Sequence, residues 1–298
     1  MDLSTKMGGT NRSFRFRIWV FVAISYIFTW AFWLSARFLG DANIAVSLQW
    51  HENHGHLQIG RLLEWIGILG PSVGLLVMLV FFPTSVPKRQ TLKGMLNLRV
   101  KPVFYVFALV APFVAFFTES LIRGLKGTPT FFLGGPVSWC IDVLEYFFLS
   151  PFWEEIGWRG FLLPEMESQY GNFAASLWVG LIWGAWHVPL RIYTAPPRSS
   201  PFAFVALFVI YCVGLSIVLT WLYNASGKSV ITCVIFHAAV NAAGDSFVTP
   251  EASAYGGLSS FEGALVSVWV LAAVILLIDR INRKTVFWPD RNSSLECG

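Results

Sequence analysis

Apolar stretches of about 20 residues recur along nearly the whole chain and are separated only by short polar gaps. At a rise of about 1.5 Å per residue, that length is what a helix needs to cross roughly 30 Å of hydrocarbon. The pattern predicts eight membrane helices, at about 18–38, 62–83, 103–122, 137–163, 173–190, 202–223, 229–247 and 260–278. No soluble domain fits between them, so the chain reads as an all-α, polytopic integral membrane helical bundle forming a single membrane domain over 1–298. The first apolar run lacks a small-residue cleavage site and is long enough to span. It is therefore expected to be the first membrane helix and not a removed signal.

Composition strengthens this reading, since 55% hydrophobic residues, 13% charged residues and a mean hydropathy of +0.61 lie far from soluble averages. Charge supplies the orientation. Of the 21 Lys and Arg residues, fourteen fall on one side of the predicted helices, in the N-terminal tail, the 88–101 loop, Lys228 and the C-terminal tail. The opposite side holds Arg37, Arg61, Arg123, Lys126, Arg191 and Arg198, and Arg159 lies inside a span. Basic loops stay on the cytoplasmic side, so both termini are expected there. The net charge of +4 is spread over these loops. It asks for no nucleic acid; anionic lipid headgroups are sufficient partners.

Several features carry little chemistry. Cys140, Cys212, Cys233 and Cys297 have no C-x-x-C spacing, and three of them sit in apolar spans, which indicates packing and neither zinc nor disulfides. His51, His54 and His56 cluster in a polar loop, but no Cys or carboxylate stands beside them at a ligand spacing, so a solvated loop is expected. Gly70 with Gly74, and Gly180 with Gly184, are small residues four apart that permit close helix approach.

Span four is different. Trp153-Glu154-Glu155-Ile156-Gly157-Trp158-Arg159 places three ionisable groups in an apolar helix. Each costs roughly 2.5 to 3.5 kcal/mol near a helix centre, so they must face protein or water. Glu155 and Arg159 are four apart and can pair, while Glu154 points about 100° away and is free to act as a base. An interhelical ion-pair network is the competing reading of this string, and the same reading covers the other intramembrane acids, Glu64, Glu119, Asp142 and Glu145. Span five ends in Trp183-Gly184-Ala185-Trp186-His187, and span seven holds His237 and, four residues on, Asn241. That spacing puts an imidazole and an amide on one helix face, where both can donate to one point. Counting residues leaves Glu154 and His187 about 9 Å apart in depth. An interfacial helix within 164–176, marked by Pro164 and Gly171, would bring them level.

These three segments resemble the motifs of the CAAX protease and bacteriocin-processing family, also called the abortive-infection family, which includes the Ras-converting type II CAAX prenyl endopeptidases. Glu154, Glu155 and Arg159, followed by Gly160 and Leu162, match the first motif; Trp183 and His187 the second; His237 and Asn241 the third. Similarity extends over about 140–245, taken as the catalytic core. The family usually has Phe where Trp183 stands, a departure that leaves the chemical groups intact.

The resemblance implies an intramembrane glutamate-dependent endopeptidase without metal or other cofactor. In it Glu154 and His187 activate water, His237 and Asn241 stabilise the oxyanion, and Glu155 with Arg159 organises the site. The implied substrates are C-terminal tails of prenylated CAAX proteins or other membrane-associated peptides. Two alternatives stay open: a zinc protease with Glu154, His187 and His237 as ligands, and a non-enzymatic immunity or binding protein or transporter whose buried charges are structural.

Overall fold

The computed structural model describes residues 3–39, 59–125, 131–132, 135–196, 199–248, 258–281 and 286–288. The loop bearing His51, His54 and His56 lies outside the described residues, as do Cys297, Lys126, Arg198 and the basic positions beyond Arg280. Twelve helices follow one another among the described residues: α1 (Leu3–Leu39), α2 (Ile59–Ile68), α3 (Gly70–Phe81), α4 (Lys88–Met95), α5 (Pro102–Leu125) and α6 (Gly135–Leu149) form the first half. The second half is α7 (Pro151–Gly157), a π-helical turn (Trp158–Leu162), α8 (Leu163–Trp186), α9 (Val188–Tyr193), α10 (Pro201–Ala225), α11 (Val230–Ser246) and α12 (Leu258–Ile281). One two-residue antiparallel pairing, Phe131–Phe132 with Phe247–Val248, is all the β structure among the described residues.

Four described helices are long and apolar enough to cross a membrane: Ser13–Leu39, Pro102–Leu125, Pro201–Ala225 and Phe261–Ile281. The α2 and α3 pair makes a fifth, bent by 41° at Leu69. The expected count of eight is thus not confirmed. Span four, expected over 137–163 with Pro151 as the place of a kink, is interrupted there, because Pro151 has no N–H to continue the ladder of α6 and instead begins α7 after Ser150. The helix expected at 173–190 starts earlier, at Leu163, and is kinked at Gly171, whose φ of 74° a side chain would disfavour. Serine caps open the next two helices: Ser200 Oγ accepts from Ala203 N and Ser229 Oγ accepts from Thr232 N.

Packing organises these pieces around the centre of the bundle. α8 lies along α10, α1 along α2 and α3, α5 along α11, and α12 along α10. The glycine pairs are where the backbones meet. A Cβ at Gly180 would stand 2.6 Å from the Val213 Cα, and one at Gly184 2.9 Å from the Val209 Cα, so α8 reaches α10 only because both are glycine. A Cβ at Gly74 would meet side chains of α1 instead, with Ser25 Oγ at 2.6 Å and the Phe21 ring at 3.1 Å. Cys212 and Cys233 are buried packing residues, whereas Cys140 is exposed. On the outer surface, large apolar side chains such as Val103, Leu121, Leu125, Val266, Val270 and Leu277 are exposed, which suits hydrocarbon and not water.

Candidate active site

The site is assembled where α7 and the π turn face the C-terminal end of α8 and the middle of α11. Of the sequence-predicted residues, Glu154 (3% exposed), Glu155 (0%), Arg159 (0%), His187 (8%) and His237 (5%) are all buried. Asn241 is half-buried. Such a density of buried ionisable groups survives only if the groups satisfy one another.

Glu155 and Arg159 form the pair their spacing predicts, with Arg159 Nη1 donating to Glu155 Oε1 at 2.9 Å. The same oxygen takes a second bond from His237 Nδ1, also at 2.9 Å, across 82 residues of sequence. A carboxylate only accepts, so Nδ1 of His237 carries a proton. Its Nε2 then offers a lone pair in the neutral ring and an N–H donor in the imidazolium. The Arg159 guanidinium also stacks on Trp183, its Cζ 4.6 Å from the ring centroid. Arg159 stands in the π turn that follows α7.

Glu154 belongs to a separate set of contacts. Its Oε1 accepts from Ser150 Oγ at 2.7 Å and its Oε2 from Trp183 Nε1 at 2.8 Å. Trp183 also touches the second histidine: its main-chain carbonyl accepts from His187 Nδ1 at 2.9 Å, one helical turn on. The carbonyl cannot donate, so His187 holds its proton on Nδ1 and presents a lone pair at Nε2. Trp186, Trp183 and Phe208 surround that ring edge-on at centroid distances of 4.6, 5.8 and 5.0 Å and fix its plane. Trp183 thus contacts both the Glu154 carboxylate and the His187 imidazole, which residue counting sets at different depths.

Asn241 lies one turn after His237 on α11, and its amide makes no hydrogen bond with another described residue. Nothing ties it to Glu154 or His187 directly. Among the described residues, no group of three or more His, Cys, Asp and Glu is arranged to hold a metal ion.

Two participants escape a sequence reading. Ser150 stands four residues before Glu154, and Trp183 four before His187; both spacings are visible in the sequence, but their meaning depends on the Glu154 carboxylate lying between them. Trp183 in particular is more than a packing substitute for the family's usual Phe, since its N–H is bonded to Glu154.

Residues 136–243, which contain all three motifs, match the family model described as type II CAAX prenyl endopeptidase Rce1-like. A CAAX prenyl protease 2 from Methanococcus maripaludis is 22% identical over 240 residues, covering 77% of this chain and 84% of its own. Lysostaphin resistance protein A from Staphylococcus haemolyticus is 25% identical over 285 residues, covering 90% and 71%. The family resemblance drawn from the motifs is borne out by these matches. With the apolar helices, they support an integral membrane endopeptidase acting on a peptide or protein substrate.

Proposed function

We propose that the protein is a metal-free, glutamate-dependent intramembrane endopeptidase that cleaves C-terminal tails of membrane-associated peptides, prenylated CAAX tails among them. One observation carries the reading: Trp183 holds Glu154 by its indole N–H and His187 by its carbonyl, leaving a carboxylate and an imidazole lone pair as neighbouring acceptors. A water between two acceptors donates one O–H to each. Its own lone pair is then free to attack a carbonyl. Glu154 takes the proton as the C–O bond forms and returns it to the leaving amine when the C–N bond breaks. Ser150 and Trp183 keep the carboxylate fixed through both transfers.

Oxyanion stabilisation falls to α11. Asn241 donates its amide N–H, and His237 donates Nε2–H as an imidazolium whose charge Glu155 balances through Nδ1. Arg159 in turn donates to the same Glu155 oxygen. Both termini face the cytoplasm in this proposal, following the distribution of Lys and Arg.

The test is a cleavage assay on purified protein with matched prenylated and unprenylated CAAX peptides, products identified by mass. Cleavage near the C-terminus of either is the expected result, and the ratio of the two kcat/KM values assigns the role of the lipid. Intact peptides under all conditions would instead favour the second reading, a non-enzymatic resistance role, which the similarity to lysostaphin resistance protein A keeps in view.

A further inference from the structure

Arg191 stands one turn beyond His187, its backbone N–H bonded to the His187 carbonyl at 2.9 Å at the start of α9. Its guanidinium lies over Phe208, with Cζ 4.0 Å from the ring centroid. Phe208 is the same ring that flanks His187, at 5.0 Å between centroids. The guanidinium is thus at most about 9 Å from the His187 imidazole, the sum of 4.0 and 5.0 Å.

Unlike Arg159, which is paired with Glu155, Arg191 forms no salt bridge or side-chain hydrogen bond with another described residue. Its Nε is buried and without a partner. The half-buried side chain leaves the Nη edge of the fork accessible beside the catalytic pair. A guanidinium bonded to no carboxylate of the described residues, held flat by an aromatic face, is matched by a planar, bidentate anion.

We propose that Arg191 is a substrate-binding residue that captures the free C-terminal carboxylate of the peptide being cleaved. The assignment rests on the endopeptidase reading of the Glu154 and His187 site, and it turns that site into one that measures its cut from the chain end. An extended residue covers about 3.3 to 3.6 Å. With the scissile carbonyl at His187 and the carboxylate at Arg191, the released fragment is therefore short, about two to four residues. Internal segments of a polypeptide, having no carboxylate at that distance, are excluded.

Two peptides identical except for a C-terminal carboxylate or carboxamide test this on the full-length protein. For the parent, amidation should raise KM about tenfold or more with kcat little changed, because the lost contact is made equally before and during reaction. Arg191→Gln should raise KM for the acid to the level of the amide and leave the amide where the parent has it, with Arg191→Lys between. Equal handling of acid and amide by the parent overturns the proposal while leaving the endopeptidase reading intact. So does an Arg191→Gln penalty that is the same for both peptides. A parent that cleaves neither peptide refutes the endopeptidase reading and the anchor together. The comparison on the parent needs no variant, so a poorly folded Arg191→Gln cannot hide the answer.

Discussion

Replacing Arg159 by Leu removes the guanidinium bonded to a carboxylate that water cannot reach. Glu155 and Arg159 side chains are both 0% exposed, and the 2.9 Å bond between them joins the 2.9 Å bond from His237 on a single oxygen. Without the guanidinium, Glu155 keeps one ring N–H, and its second oxygen, already unpartnered, gains nothing. Breaking a buried pair from one side costs about 3 to 5 kcal/mol, most of it the uncompensated charge. Loss of the stack on Trp183 adds to that. Denaturant titration of parent, Arg159→Leu, Glu155→Gln and the double variant in one detergent measures the cost as a double-mutant cycle. Arg159→Leu should be the least stable of the four, and adding Glu155→Gln to it should restore part of the loss by removing the stranded charge. A single variant as stable as the parent, or a double variant no better than Arg159→Leu, would refute the buried pair as the organiser of the site.

Asn241→Ala should lower kcat by about 10² to 10³ with KM near normal, because the amide donates most strongly when charge develops on the carbonyl oxygen; a raised KM with intact kcat would move Asn241 to ground-state binding. Asn241→Asp should recover activity in acid, where the introduced carboxyl is protonated and can donate, and a flat pH profile relative to the parent would count against the oxyanion role. Trp183→Phe keeps the aromatic face on Arg159 but removes the donor to Glu154, so kcat should fall by about tenfold, roughly 1.4 kcal/mol, with little loss of thermal stability. Gly180→Val should destabilise the fold by about 1 to 3 kcal/mol, since even its Cβ would lie 2.6 Å from the Val213 backbone; unchanged unfolding would mean that α8 and α10 can separate freely.

The membrane class, the helical architecture and the three chemical motifs were legible because each is written locally: apolar runs of span length, acids and a base one turn apart on one helix. What the pattern could not give were the breaks. Hydropathy alone runs α6 and α7 together, and only the proline at Pro151 marks the kink between them; Gly70-Pro71 is the corresponding mark at the Leu69 bend, inside a run that is apolar throughout. The π turn at Trp158–Leu162, which contains Arg159, is silent in the pattern. Contacts across distant segments were lost for a similar reason. That His237 binds Glu155, and that the indole of Trp183 reaches Glu154, depends on how α7, α8 and α11 pack, which no single helix encodes. Trp183 therefore read as a substitute for Phe when its added N–H was the informative part.

In the proposed mechanism Glu154 is the base that activates water. Glu154→Gln keeps the shape of the side chain and can still accept from Ser150 or Trp183, but it cannot take a proton. Turnover of one CAAX peptide by parent and variant, with thermal unfolding measured on the same samples, isolates that difference. In the variant kcat should fall by about 10² to 10⁴ with KM and unfolding unchanged. A correctly folded Glu154→Gln protein that cleaves the peptide at the parent's rate would contradict that role for Glu154.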